Sequence, residues 1–558
     1  MPDRDEVQVS WIKTTFAPLS LDVFRNIWIA GTMSNLGSVI QATATAWLMT
    51  TLTTSPVLIA SVQTAANAPT VLFALVAGTS ADLFNKRMQM LFANALCFLA
   101  IVLLIYLMLQ NAITPIWLLT LTAIISIGSV AFMPAWHSSV TEIVPRHMLP
   151  AAISLNNLAF NVARAAGPAI GAEIIALAGV AVAFGTNAFS FGVMIVALLS
   201  WRHRPAPKPL LPETIGNAVI DGLRFVTLSP GLRLHMLRGF LLTLFGSAVL
   251  ALQPVVAVNL GAGTRGFGIL LSGFGFGAIV GSLTVVWFRT RVSPDRQLSM
   301  AMALFGTASM LLALSTSLLQ ASASLFLCGI AWTQSAATLQ VTVQTSCPRW
   351  VTARTISVFS TLFALGIAIG AIFWGSVALV LNLSVALILS SVGMIATAAM
   401  STLIRIHDPE DAELQPRFDM KRTPMPSISP RSGPAWITVE YQVPPNNIED
   451  FLSLMREYAF IRKRCGARNW ILVQDIDNPE ILNEQFQCPT WNDYLHSVSR
   501  VVVGDSDIQS RVGKLCNGLP TGRRVLERPT RAKELPSAPV EARKQQPLKS
   551  SVRGSEAK

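Results

Sequence analysis

Charge is the commodity this chain holds least of. Of its 558 residues only 13% are Asp, Glu, Lys or Arg, while 52% are hydrophobic, and its mean hydropathy is +0.52. Soluble domains carry roughly 25% charged residues, so a purely soluble globular protein is excluded. A phosphate-cradling loop is also missing. Its pattern is Gly, four residues, then Gly-Lys-Ser/Thr, and the Gly-Lys of this chain, Gly513-Lys514, is followed by Leu515 with no upstream Gly in register. An ATPase embedded in the chain is therefore not expected. The six His are too scattered for metal-ligand spacing, so no metal and no cofactor are expected. The six Cys show no CxxC spacing, which points to reduced thiols without a disulfide framework.

What charge there is sits unevenly. Residues 1–404 hold 19 Lys/Arg and 10 Asp/Glu, and residues 405–558 hold 23 and 20. The chain divides into an apolar body and a charged C-terminal region. The formal charge of +12 falls as +9 and +3, most of it in loops of the body. Such placement speaks of lipid topology, not of nucleic acid. Residues 26–81, 88–141, 297–348 and 355–404 contain no charged residue, 147–201 contain only Arg164 and Glu173, and 239–288 only Arg265. Each block is 50 to 56 residues long. One spanning helix needs roughly 20 apolar residues, so each block reads as two helices joined by a tight hinge. The hinges fall at 50–56, 109–115, 177–181, 259–268, 316–322 and 379–384. Six hairpins make twelve helices, because a bilayer admits only helices or closed barrels and the unbroken apolar runs lack a barrel's alternation.

Loops between the hairpins carry Lys86, Arg87, Arg146, Arg202, Arg204, Lys208, Arg224, Arg233, Arg289, Arg291, Arg296, Arg349 and Arg354, whereas the hinges carry Arg265 alone. The positive-inside rule then places those loops and both termini in the cytoplasm. Residues 1–24 read as lacking a cleaved signal peptide. The loop at 202–236 separates six helices from six. Within it IGNAVIDGLRFV at 215–226 reads as a surface-lying amphipathic helix. The halves echo each other weakly: VPRHMLPAAIS at 144–154 and CPRWVTARTIS at 347–357 share Pro-Arg and Ile-Ser at an offset of 203, which also carries Gly167 onto Gly370. Duplicated halves are a mark of transporters with alternating access.

The stretch GTSADLFNKR at 78–87 is a brief polar break between two oily runs. Gly78, Asp82, Lys86 and Arg87 resemble the signature of the major facilitator superfamily, in which an acidic residue and a basic pair latch the cytoplasmic gate. Leu83 stands where that signature has Arg, and Asn85 where it has Gly. Gly167-Pro168 followed by Gly171 resembles the superfamily's antiporter signature, and Gly and Pro there favour close helix approach and a loosened ladder. Residues 24–49, 133–172 and CPTWNDYL at 488–495 are similar to the exporter branch that includes enterobactin exporters and macrolide efflux pumps, the transmembrane secretion effector family. The resemblance implies a cell inner membrane protein for efflux of a small organic molecule, a siderophore, drug or secondary metabolite, by proton antiport.

Intramembrane polar residues are the candidates for chemistry. A carboxylate such as Glu173, in GPAIGAEIIALAG, costs on the order of 2.5–3.5 kcal/mol at a helix centre and suits binding and releasing a proton. The alternative is an edge residue reaching the headgroups. Arg164 lies nine residues earlier, about half a turn around the helix. It is placed to meet an anionic substrate or Glu142, or to tie helices together. Asn35 and Gln41, Gln63 and Asn67, and Gln334 are neutral amides expected to face the bundle, singly as interhelical links and together as a polar cavity. Trp136 and His137 are candidates for the cytoplasmic mouth.

The body thus reads as an α-helical membrane protein of twelve transmembrane helices: a cytoplasmic N-terminus at 1–23, six-helix halves at 24–201 and 237–405, and the loop at 202–236. A linker follows at 406–434. The strand–helix–strand–strand–helix order of 435–517 suggests a small α+β domain. It resembles the ferredoxin-like domains of antibiotic-biosynthesis monooxygenases, which implies a homodimer through this domain. His496 and Tyr458 are its candidate site residues, with a structural role favoured. The basic tail at 518–558 has the composition of disorder. The expected partners are lipid, a small-molecule substrate and protons, and no enzyme activity is expected. The alternatives are a membrane-anchored enzyme or sensor whose C-terminal domain acts on a small molecule, and an importer.

Overall fold

The computed structural model describes residues 16–83, 85–201, 215–348, 351–403, 432–500 and 503–527. The chain divides into two compact units, 1–414 and 415–558, taken one at a time below.

The first unit is a helical body. Its helices are α1 (Asp22–Leu52), α2 (Pro56–Leu83), α3 (Lys86–Leu109), α4 (Pro115–Ile143), α5 (Leu149–Ala178), α6 (Val180–Ser200), α7 (Ile215–Leu228), α8 (Pro230–Asn259), α9 (Gly263–Arg289), α10 (Pro294–Ala313), α11 (Leu318–Thr345), α12 (Thr352–Val380) and α13 (Leu383–Leu403). Local chemistry marks their starts. Proline opens α2, α4, α8 and α10, where its missing N–H leaves no bond unmade. Asn85 caps α3 by accepting from the Arg87 and Met88 amides, Thr114 caps α4, and Ser317 caps α11. Each such cap stabilises a helix by roughly 0.5–2 kcal/mol. Gly179 joins α5 to α6 as a single residue at φ 87°, a left-handed conformation that favours glycine.

Every hinge expected from the sequence falls at or beside a break between these helices. The hinge at 259–268 is shorter than expected, because α9 begins at Gly263 and takes in Arg265. The second half also begins earlier than 237, since α8 starts at Pro230. The amphipathic stretch at 215–226 is helical as α7, which packs on α12. Among the described residues, eight helices are long and apolar enough to cross a membrane: α2, α3, α4, α6, α8, α9, α12 and α13. Apolarity alone therefore does not reach twelve. Helices α1, α10 and α11 are long but interrupted by polar residues such as Asn35, Gln41, Gln297 and Gln334.

Packing repeats across the two halves. In the first, α1 packs on α5 and α6, α4 on α2 and α3, and α3 on α6; in the second, α8 packs on α12 and α13, α11 on α9 and α10, and α10 on α13. The halves meet through two matching pairs, α2 with α12 and α5 with α9. The sequence echo at an offset of 203 lies on α5 and α12. Gly167 of α5 abuts Val39 of α1, and Gly370 of α12 abuts Leu244 and Ser247 of α8. Each glycine therefore seats a helix on the first helix of its own half, where a side chain would hold them apart.

The second unit holds strands β1 (Ala435–Gln442), β2 (Arg468–Gln474), β3 (Ile481–Cys488) and β4 (Thr521–Leu526), with α14 (Ile448–Arg464), α15 (Trp491–Ser499) and α16 (Val503–Lys514). The four strands form one antiparallel sheet in the order β2-β3-β1-β4. Strand β4 corrects the expected domain end at 517: residues 521–526 pair with β1 and belong to the fold, not to the tail. The Glu527 amide then bonds to the Pro434 carbonyl, 2.9 Å away, and the Trp436 indole N–H donates to the Glu527 carboxylate. Inside, the fully buried Glu484 carboxylate accepts from Arg462, Tyr441 and Trp470 at 2.9 Å each. Burial together with the adjacent carboxylate holds the Tyr441 hydroxyl well above its ordinary pKa. Tyr458 is buried against the Arg462 guanidinium, 4.8 Å away, and so serves the core. The linker expected at 406–434 and the tail beyond 527 fall largely outside the described residues.

Candidate functional site

The first six helices enclose a cavity of about 420 Å³, lined from α1, α3, α4, α5 and α6. Its walls combine aromatic rings, among them Trp28, Trp136 and Phe160, with the amides of Asn35, Asn94 and Asn156. Among the described residues that line it, none is Asp, Glu, Lys or Arg. Asn35 of α1 and Trp136 and His137 of α4, singled out in the sequence, thus line one cavity. Asn94 and Asn156 escaped notice, since a lone amide in an oily run carries no spacing signal. The spacing of Asn156, Phe160 and Arg164 was readable: four residues apart, they rise along one face of α5.

Arg164 itself lies midway along α5 with its guanidinium carbon 5.6 Å from the centre of the Phe160 ring. Such a contact contributes about 0.5–2 kcal/mol. Among the described residues it has no ion-pair partner. Glu142, the acidic partner considered for it, instead accepts from Lys86 at 2.6 Å. The Trp28 indole N–H is buried and meets no acceptor among the described residues.

The remaining candidates lie elsewhere. Gln41 accepts a short hydrogen bond from Asn187, which in turn accepts from Ser190, so this amide links α1 to α6. Gln334 accepts from Gln297 at 2.8 Å and donates to Thr284 at 2.7 Å, linking α11 to α10 and α9. Asn67 donates along its own helix to the Gln63 carbonyl, and neither amide lines the cavity. Arg87 donates to the Leu198 and Leu199 carbonyls, where a cation complements the C-terminal end of α6. The named partners of Lys86 and Arg87 therefore all lie in the first half. Gly78 and Asp82 lie on α2, and what surrounds them is not among the described features.

Glu173 is not enclosed. Its side chain is 49% exposed and forms a two-pronged ion pair with Arg265, at 3.0 and 3.1 Å. That pair spans α5 and α9, and so bridges the halves. Nearby, Gly268 of α9 abuts Ala172 and the Pro168 carbonyl, Trp47 stacks on Phe267 at 5.7 Å, and Gly171 abuts Ile40 of α1. On the other seam Thr64 donates to the Ala368 carbonyl, and Gly375 sits against Val57 and Ala60. All of these contacts lie toward the hinge end of the bundle. The cavity lies toward the opposite, loop end, where Trp28 opens α1 and Trp136 and His137 close α4.

Comparison with known proteins agrees with this architecture. A family model described as transmembrane secretion effector matches residues 13–530. The enterobactin exporter EntS of Shigella flexneri is 29% identical over 214 residues, which is 38% of this chain and 49% of that protein. EntS of Citrobacter koseri is 28% identical over 214 residues, 38% and 50% of the two chains. The chain spans about half the length of the curated relatives it matches. Among solved structures, a bacterial homologue of the human lysosomal transporter Spinster, inward-facing and occupied, superposes with a TM-score of 0.57 at 14% identity, covering 69% of this chain and 97% of its own. The nucleoside transporter NupG gives 0.57 at 12% identity, covering 68% and 98%. These likenesses are of fold. On the family match, the apolar helices and the paired halves together, the chain is an integral membrane protein of the transmembrane secretion effector family, with the fold of major facilitator-type transporters.

Proposed function

We propose that this chain is a secondary active transporter that exports a small organic molecule, a siderophore, drug or secondary metabolite, through the cell inner membrane. The observation that carries the reading is where the described contacts fall: those named between the halves lie toward the hinge end, and the cavity lies toward the loop end. A two-half carrier with one end sealed offers its site to the other side, and rocking of the halves would reverse the exposure. In this reading all twelve long helices span the bilayer, those with polar interruptions turning them toward their neighbours. The Lys- and Arg-bearing loops and both termini face the cytoplasm, so the site loads from within. The enterobactin exporters among the relatives favour outward transport.

The proposed driving force is proton antiport at Glu173. A proton on this carboxylate removes its charge and releases Arg265, which loosens the α5–α9 seam and opens the hinge end. Loss of the proton restores the seal. Lys86 and Arg87 brace the first half as it moves, with Gly78 and Asp82 completing the gating turn. The C-terminal unit is read as a ferredoxin-like domain that regulates transport or pairs two copies. Its sheet exposes Ile471 and Val473 on one edge strand, and Val525 on the other, beside Trp436, apolar positions suited to contact with a second copy.

The test is accumulation of siderophores, macrolides and dyes in cells with and without the protein, at controlled proton gradient. Export is expected to follow the gradient, and E173Q is expected to abolish it at normal expression. Unchanged efflux in E173Q would remove Glu173 from the coupling, and equal accumulation with and without the protein would remove export altogether.

A further inference from the structure

We infer that the cavity recognises an anionic aromatic molecule, with Arg164 as the residue that reads its charge. Three observations converge. The described lining residues offer aromatic faces and neutral amides but no carboxylate, so a cation would meet no counter-charge among them and lose its hydration uncompensated. The Arg164 guanidinium rests on Phe160, a ring of the cavity wall, and among the described residues it has no ion-pair partner. An intramembrane cation lacking a partner is costly to retain, and an arriving carboxylate or sulfonate would supply the missing charge. Finally, the Trp28 indole is a buried donor on the same cavity with no acceptor among the described residues. Buried donors are almost always paired, and an anionic or carbonyl oxygen of the ligand would pair this one.

The stripe on α5 sets the order of contacts. Asn156 and Phe160 meet the body of the ligand, and Arg164, one turn further, meets its acidic group. The aromatic body stacks on the rings, where offset or edge-on contacts add about 0.5–1.5 kcal/mol beyond burial. Arg164 is thereby a specificity residue, and an uncharged analogue would keep the stacking while losing the ion pair.

This deepens the export reading, but it is tested by binding alone. Two probes share one ring system: 8-anilinonaphthalene-1-sulfonate carries an acidic group, and N-phenyl-1-naphthylamine does not. Equilibrium dialysis against the full chain in zwitterionic nanodiscs, with empty discs subtracted, gives both dissociation constants. The wild type is expected to prefer the sulfonate. R164Q should weaken the sulfonate about 10- to 100-fold, the range for a charge-assisted contact, and leave the naphthylamine unchanged. Retained naphthylamine binding also shows that the variant is folded. R164K should keep part of the preference, and W28F should weaken the sulfonate by a smaller factor. No preference in the wild type, or equal loss of both probes in R164Q and R164K, would overturn the assignment. Charge-selective binding without gradient-driven export of either probe would sink the export reading and leave the site standing.

Discussion

The two halves of the membrane body share a packing plan and differ in what fills it. In the first half, α1 helps to line a cavity, and it meets its neighbours through Gln41 with Asn187, Gly37 against Asn187 and Ser190, glycine contacts at Val39 and Ile40, and Trp47 stacked on Phe267. In the second, the corresponding helix α8 is buried along most of its length. There Arg238, wholly enclosed, donates to Asp295 at 2.6 Å and toward the Ser401 carbonyl at 3.3 Å. The Trp374 indole ties α12 to the Leu244 carbonyl of α8, and Gln334 collects partners from two helices. The two halves thus share a contact map while their interiors differ.

The sharpest way to break this contrast is to remove the carboxylate that pairs with the enclosed Arg238. Asp295→Ala leaves Arg238 buried without its carboxylate, which typically costs about 3–5 kcal/mol. The folded fraction of the second half should fall steeply, as read by thermal melting with fluorescence-detected size exclusion. The matching change at the loop end of the first half, Lys86→Ala, should be far milder, because Lys86 and Glu142 are partly exposed. Equal losses would erase the distinction between the halves.

A smaller effect is expected at the paired glycines. A methyl at Gly370 would meet the Ser247 hydroxyl at 2.2 Å and the Leu244 backbone oxygen at 2.5 Å. Backbone cannot yield cheaply, so Gly370→Ala should cost about 1–3 kcal/mol of stability. At Gly167 the obstacle is the Val39 side chain, its Cγ1 at 2.6 Å and Cβ at 2.8 Å; with no backbone atom of the neighbouring helix so close, Gly167→Ala should cost less than Gly370→Ala. The smallest effect belongs to the amides. Interhelical hydrogen bonds in membranes average about 0.6 kcal/mol, so Gln334→Ala and Gln41→Ala should each lower stability by roughly that amount, the former more. A double change additive within error would show the two links to be independent.

Much of the fold was legible because a bilayer punishes ambiguity. Charge-free runs of fifty residues and polar hinges can be read directly, and each hinge fell at a helix break. Legibility ended where polarity served packing instead of solvation. Gln41 and Gln334 gave the same signal as Asn35, yet only Asn35 reached the cavity. A neutral amide satisfied by a neighbouring helix and one left for a ligand look alike along a sequence. The pairing of Glu173 was hidden for a different reason: its partner Arg265 is 92 residues away, in the other half. Strand β4 was missed because TGRRVL has the composition of the basic tail around it, and only its pairing with β1 makes it a strand.

The bond between Glu527 and Pro434 has a practical meaning. It brings the two ends of the C-terminal domain within a single peptide's reach of each other, so the module is strung on the chain like a bead held by its clasp. A cassette closed in this way can be removed, exchanged for that of a relative, or followed by a reporter without stretching its own first strand.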